Sequence, residues 1–456
     1  MRAWRLPEEV SSWVTTLSQA LHRRHAWRLL PLLTGLLFAH GRRTITRWLR
    51  AVGIGPGFQR YYYFLARVGR KAEFLASLLL RRATAVVPVG ERILLGLDDT
   101  PTKRYGPLVE GAGIHHNPTP GPAAQKFLYG HIWVTLAWVV RHPLWGALGL
   151  PLRALLYVRR KDVSPLTTWY GVAFRTKLQQ AAALVAWAAD WLKYLGKVLW
   201  VVADGAYAKR VFLKAARAAR VVVVSRLRKD AALWSVPEPP RPGARRGRGR
   251  PPKYGKQKLS LAKRAGHRRG WRSLEVVQYG ERVRKTYKAF QATYKPAGGL
   301  IRVVLVREQG GWVAFFCTDP EAAVSAILEA VADRAALEQD FHDLKEVHGV
   351  GQPQLRNYWA NVGAYHLGLW LHTLIELWAW GRSHRQLVRR EGSPWDDADR
   401  RPSHADRRHA LRRACLREEF RQLQRRRPLA RKIRDLLRGL VGLLGLHWFT
   451  EKAQSP

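Results

Sequence analysis

The sequence predicts a mixed α/β fold: a sheet of parallel and antiparallel strands with helical regions at both ends of the chain. Three observations carry that expectation. Short apolar, β-branched runs from residue 92 onward read as a strand meander, and a strand, helix, strand pattern follows it. The chain is also long and apolar enough for real cores, with 456 residues, 47% hydrophobic, and 20 Trp.

The elements follow in order. Residues 10–82 carry helical periodicity interrupted by Gly. Within them the segment 44–50, the turn Gly53-Ile54-Gly55-Pro56-Gly57 and the basic segment 58–68 read either as a helix pair that docks in a DNA groove or as two packed scaffold helices. These glycines follow no strand, so a dinucleotide-binding fingerprint is rejected. Strands are expected at 93–97, 132–140 and 144–158, with Arg141-His142-Pro143 as the hairpin turn. A helix over 170–195, a strand at 198–203, a helix over 207–218 and a strand at 221–224 complete the mixed sheet.

Segment 239–274 holds 13 Lys/Arg and no Asp or Glu, and its Pro and Gly predict a mobile basic loop without regular structure. Strands at 275–279, 282–294, 300–307 and 312–317 follow, the last two joined through Gln309-Gly310-Gly311. A single helix is expected over 321–347, and the remainder is helical and basic, with 15 Lys/Arg between residues 400 and 438. The resulting plan is an N-terminal helical region 1–89, a core in two parts 90–225 and 318–381, a basic and β-rich insertion 226–317, and a basic helical region 382–456.

Charge narrows the partners. With 79 Lys+Arg against 33 Asp+Glu the net charge is +46, which favours a polyanion, either nucleic acid or an anionic membrane surface. It argues against an enzyme working only on a small acidic or neutral substrate. Cys317 and Cys415 are the only cysteines. They are too few for a disulfide framework or a zinc cluster and fit a reducing, cytoplasmic compartment. Glu8 and Glu9 stand where a signal peptide needs its apolar stretch, so secretion is not expected. The apolar stretch 127–158 is broken by His131, Arg141, His142, Pro143 and Arg153 into runs shorter than the ~20 residues of a membrane span.

Three acidic positions sit where a sheet scaffold presents them. Asp98 and Asp99 end the first expected strand and Asp204 ends another. On the helix over 321–347, steps of ~100° per residue put Val331, Arg334, Glu338, Phe341 and Lys345 on one stripe, with Asp340 and Asp343 turned away. Carboxylates so placed can hold divalent metal at a scissile phosphate, or Glu338 can be one more acid on a solvated helix face.

The run Arg334-x3-Glu338-x6-Lys345, with Leu337 before the Glu and Phe341 after it, resembles the signature around the catalytic Glu of bacterial insertion-sequence transposases of the DDE type. The signature's Tyr three residues before the Arg is Val331 here. Leu97-Asp98-Asp99-Thr100 and Val202-Ala203-Asp204-Gly205 look like the family's first and second Asp motifs, and a β-strand insertion before the Glu is typical of this branch. The long interval from Asp204 to Glu338 sets the chain apart from retroviral-type integrases.

The resemblance spans about residues 90–380 and implies an RNase H-like catalytic core. Asp98, Asp204 and Glu338 would hold Mg2+, with Mn2+ as substitute, and Arg334 and Lys345 would contact DNA backbone. Between the adjacent acids it favours Asp98, because Thr100 stands at the family's Ser/Thr position; Asp99 is the alternative. The implied activity is DNA cleavage at transposon ends and joining of the 3′-hydroxyl to target DNA by a homodimer, with no membrane involved. An inactive DNA-binding descendant and a nuclease without strand transfer are the competing readings.

Other residues carry weaker signals. Arg246-Gly247-Arg248-Gly249-Arg250-Pro251-Pro252-Lys253 resembles an AT-hook, which lies in a narrow minor groove. Lys103, Arg104, Lys126 and His131 are candidates for phosphate contact or plain surface. The pair His115-His116 lacks the spacing of a metal motif. Trp271 and Trp312 can stack on a base or pack in a core, and the C-terminal arginines can grip DNA, pair with a second subunit or solvate a helix.

Overall fold

The computed structural model describes residues 4–116, 126–238, 252–390, 395–397 and 399–426. The chain divides into two compact units, one of residues up to 61 together with those from 374 on, the other of residues 62–373. The cuts fall inside two helices, Gln59–Arg70 and Tyr358–Ala379.

The first unit is helical. It contains α1 (Glu8–Ser18), α2 (Arg23–Ala26), α3 (Leu29–Phe38), α4 (Ile45–Ala51) and the start of α5 (Gln59–Arg70). Gly35 lets α3 meet α4, because a Cβ there would lie 2.3 Å from the Trp48 carbonyl oxygen.

The C-terminal arginines of this unit are structural in part. Arg408 donates to the Leu36 and Leu37 carbonyls, and Arg412 to those of Leu37 and Ala39. They cap the end of α3, whose last carbonyls have no partner within the helix. Arg408 is only 2% exposed, so these two residues are neither a DNA grip nor a solvated face.

The second unit is built on a sheet. After α6 (Ala72–Val86) come β1 (Arg92–Lys103), β2 (Gly113–His116), β3 (Phe127–His142), β4 (Gly146–Tyr157), α7 (Ser164–Tyr170), α8 (Lys177–Leu192), β5 (Val198–Ala203), α9 (Arg210–Ala218) and β6 (Val222–Leu227). Then follow β7 (Leu233–Trp234), β8 (Lys258–Leu259), α10 (Leu261–Gly266), β9 (Arg272–Gln278), β10 (Glu281–Tyr294), β11 (Gly299–Glu308), β12 (Gly311–Cys317), α11 (Val324–Asp333), α12 (Ala335–Glu346) and α13 (Tyr358–Ala379). The helices α14 (His384–Leu387) and α15 (His404–Arg426) return to the first unit.

The expected RNase H-like mixed sheet is present. Strands β4, β3 and β1 pair antiparallel, and β1, β5 and β6 continue parallel. β12 then pairs antiparallel with β6, and β11, β10, β7 and β8 extend the same sheet, so the insertion prolongs the core sheet edge to edge. On one face Leu94, Val139, Trp200, Val202 and Val224 pack with Ile327 and Leu328 of α11, burial that dominates the stability of such a layer.

Four expectations change. β1 runs on to Lys103 because the long β3 pairs with it as far as Lys103 opposite Gly130, so Asp98 and Asp99 lie inside the strand, not at its end. The helix expected over 170–195 begins later, as α8 at Lys177: Gly171, at φ 68°, ends the preceding α7, and the capping box of Thr176 and Gln179 starts α8. The helix over 321–347 breaks at Arg334, where Leu337 N donates to Arg334 O at 2.9 Å, a tighter i to i+3 bond. Segment 252–274 is not free of regular structure but carries β8, α10 and the start of β9. Among the described residues no helix is long and apolar enough to cross a membrane.

Candidate active site

The two strand-borne acids meet at the point where β1 outlasts β5. Their parallel pairing ends at Leu97 opposite Ala203, so Asp98 and Asp204 are each the next residue along. β5 stops there because the chain enters a 3-10 turn, Gly205–Tyr207, whose first residues Asp204 caps; its Oδ2 accepts from Ala206 N at 3.5 Å. The carboxyl ends of parallel strands are where open α/β sheets bind ligands.

Helix α12 brings the third acid. It docks where two strands lack side chains: a Cβ on Gly96 of β1 would meet Leu337 Cδ2 at 3.5 Å, and one on Gly149 of β4 would lie 1.7 Å from Asp340 Oδ2. With Leu337 and Asp340 held in this way, the adjoining Arg334 and Glu338 reach the level of Asp98 on β1. Arg334 Nη1 donates to Asp98 Oδ2 at 2.7 Å, and its Nη2 donates to Glu338 Oε1 at 2.7 Å. One guanidinium thus draws together a strand carboxylate and a helix carboxylate.

The adjacent acids have different surroundings. Strand alternation turns Asp99 away from Asp98, and both of its oxygens are engaged: Lys177 Nζ lies 2.6 Å from Oδ2 and Tyr207 Oη donates to Oδ1 at 2.7 Å. Asp98 accepts from Asp99 N at 2.8 Å and from Arg334. Burial pushes the Asp98 carboxyl up to about 6; Arg334 opposes the rise, and Asp99 and Asp204 add to it. Burial, then the Asp99 charge, also raises the Tyr207 hydroxyl, so it remains a donor. The Asp98 side chain is 22% exposed and that of Glu338 60%. The group therefore opens to solvent on the helix side.

This donor set fits a divalent metal. All three candidate ligands are carboxylates, the oxygen class suited to Mg2+ or Mn2+, and two of their oxygens already converge on one cation.

Other sequence candidates fall elsewhere. Lys345 is half-buried and burial lowers its ammonium. It stands about 10 Å along α12 from Glu338, seven residues at 1.5 Å each. Lys253 is exposed beside the turn from β10 to β11, its Nζ 3.9 Å from where a Cβ on Gly298 would stand. Arg246, Arg248 and Arg250 lie outside the described residues.

Arg104 and His131 are not phosphate contacts. Both are buried, Arg104 Nε donating to His131 Nδ1 at 3.0 Å and its Nη1 to Gly351 O at 2.6 Å. His131 is therefore neutral, with Nε2 donating to Glu110 O. His115 has its ring pushed down to about 4 by burial and by Arg159 and Lys177, surroundings that repel a metal ion.

Sequence reasoning missed Lys177 and Tyr207 as the residues that hold Asp99. Tyr207 gave one signal, standing three residues after Asp204; Lys177 gave none beyond its place at a helix start.

The profile of the DDE superfamily endonuclease family matches residues 16–289. That span takes in Asp98 and Asp204 and ends before Glu338. No curated protein matches the chain. DDE superfamily endonucleases use divalent metals and act on DNA, and this chain belongs to that family.

Proposed function

We propose that the protein is a DNA transposase, with Asp98, Asp204 and Glu338 as its catalytic metal ligands. The observation that carries this reading is the Arg334 bridge, which gathers Asp98 and Glu338 onto one cation beside Asp204.

In the first step a water oxygen attacks the phosphorus at a transposon end and the phosphorus to 3′-oxygen bond breaks; the 3′-oxygen leaves and takes up a proton. In the second step that 3′-hydroxyl attacks a target phosphodiester, one bond forming as one breaks, so no energy-supplying cofactor is needed. Bound Mg2+, or Mn2+ in its place, would supply positive charge at the scissile phosphate and activate the attacking oxygen.

The chain's own part is to orient. Asp98 is fixed on a strand paired on both sides, Asp204 is fixed by its cap, and Glu338 is the exposed member free to follow substrate. Arg334 offers its guanidinium to a phosphate oxygen once the carboxylates have another cation. Lys345, Arg246, Arg248, Arg250 and Lys253 are proposed backbone contacts away from the carboxylates. A homodimer holding two ends, in the bacterial cytoplasm, completes the proposal.

The test is a cleavage assay on DNA carrying the gene's own flanking ends, with Mg2+ or EDTA, begun at low salt because phosphate-driven binding weakens steeply with ionic strength. The expected result is metal-dependent nicking at the ends and joining to target by the wild type, with Asp98→Ala, Asp204→Ala and Glu338→Gln binding but not cutting. Cleavage without joining makes the protein a nuclease only. Tight end binding without any cleavage makes it an inactive descendant, and cutting by the variants removes the assigned site.

A further inference from the structure

The insertion carries a second concentration of positive charge, away from the carboxylates. Between α10 and β10 lies a cleft of about 580 Å3, lined by Arg264, His267, Arg268, Arg269, Lys288 and Phe290 and by no carboxylate. Its construction is specific. Lys288, only 9% exposed, reaches under α10 and donates from Nζ to Arg264 O at 2.9 Å and to His267 O at 2.6 Å. The carbonyls at the end of α10, which would repel an anion, are thereby covered by an ammonium group. Arg264 lies over the Phe290 ring, 4.2 Å from its centroid. Arg268 and Arg269 are exposed.

Trp271 is the pillar of this wall. Its indole nitrogen donates to His267 O at 3.2 Å, and Lys288 Nζ and Arg307 lie 4.9 Å and 4.7 Å from the ring centroid. The ring is already engaged by two cations. It holds the cations in place instead of offering a platform to a flipped base.

Cations collected without an acid among them repel one another unless an anion joins them. We infer that this cleft is a DNA-backbone site that seats phosphates of a duplex through Arg264, Arg268 and Arg269, with Lys288 and Trp271 positioning them. The ligand class follows from the family's substrate. The inference does not require Asp98, Asp204 and Glu338 to be the catalytic acids.

The test measures duplex affinity of the full-length protein over a salt series and, separately, metal-dependent nicking at saturating protein. Each phosphate contact contributes about 0.9 to the slope of log affinity against log salt. The triple variant Arg264→Gln, Arg268→Gln, Arg269→Gln is expected to lose about 2–3 from that slope and about tenfold or more in affinity near 0.2 M salt, while saturating protein still nicks. Two controls keep the result readable. The variant Lys161→Gln, Lys193→Gln, Lys197→Gln removes as many exposed charges elsewhere, and an unchanged melting temperature shows that the first variant is folded.

An unchanged slope overturns the cleft, as does an equal loss in the control. Glu338→Gln is read alongside: if it still nicks while the triple variant loses slope, the catalytic assignment fails and the cleft stands.

Discussion

Arg334 Nη1 stands 2.7 Å from Asp98 Oδ2, although 236 residues separate them in the chain. The same guanidinium holds Glu338 Oε1 at 2.7 Å, so an internal cation balances two of the three candidate ligands. Removal of Arg334 leaves the carboxylates facing one another and raises the Asp98 carboxyl above about 6, since Arg334 is the largest influence holding it down. Arg334→Gln is therefore expected to be less stable than wild type in EDTA but to gain more in melting temperature when Mn2+ is added. Differential scanning calorimetry with and without Mn2+ reads both. An equal or smaller gain in the variant contradicts a shared cation position.

The raised Asp98 carboxyl makes stability pH-dependent, and the sign follows from proton binding. Its folded value of about 6 exceeds the ordinary 3.8, so the folded state binds the proton more tightly and ionisation works against folding as pH rises through that window. Asp98→Asn removes the cost. The variant's stability relative to wild type should grow between pH 4 and pH 6 and stay level above, by an amount on the order of 2–3 kcal/mol. Urea denaturation in EDTA at pH 4.5 and pH 8 measures it; a difference that shrinks with rising pH contradicts the burial argument.

The docking of α12 makes a separate, purely steric prediction. At Gly149 a Cβ would lie 1.7 Å from the buried Asp340 Oδ2, whereas at Gly96 its nearest neighbour is Val139 Cγ2 at 3.0 Å, the end of a side chain that can shift. Gly149→Ala should cost about 3 kcal/mol or more and Gly96→Ala about 1 kcal/mol. Chemical denaturation of the two variants checks the order. Equal costs would mean that α12 does not rest on β4 through Asp340.

Much of this arrangement was legible in the chain. β-branched runs located β4, β5 and β6 to within a few residues and only part of β1 and β3, and the spacing from Arg334 to Glu338 put both side chains on one helix stripe, as in the structure. Strand ends were harder to read, because β1 is prolonged by pairing with a β3 that begins at Phe127, and no local pattern announces a distant partner. The C-terminal arginines misled for a similar reason. Composition marks them as surface charge, but Arg408 and Arg412 are buried against α3 carbonyls that only the folded unit brings near.

The choice between Asp98 and Asp99 is also a tertiary question, since the two residues share a strand and a sequence context. Asp99 is engaged by Lys177 and Tyr207, whereas Asp98 shares Arg334 with Glu338. If Asp99 is a structural acceptor, Asp99→Asn and Tyr207→Phe should each lower stability by about 1–2 kcal/mol and leave Mn2+ binding within about threefold of wild type. Asp98→Asn should weaken Mn2+ binding by at least tenfold without that loss of stability at neutral pH. Isothermal titration calorimetry with Mn2+, paired with denaturation of the same samples, separates the roles. The opposite pattern, with metal affinity lost in Asp99→Asn and kept in Asp98→Asn, makes Asp99 the ligand and Arg334 a purely structural bridge.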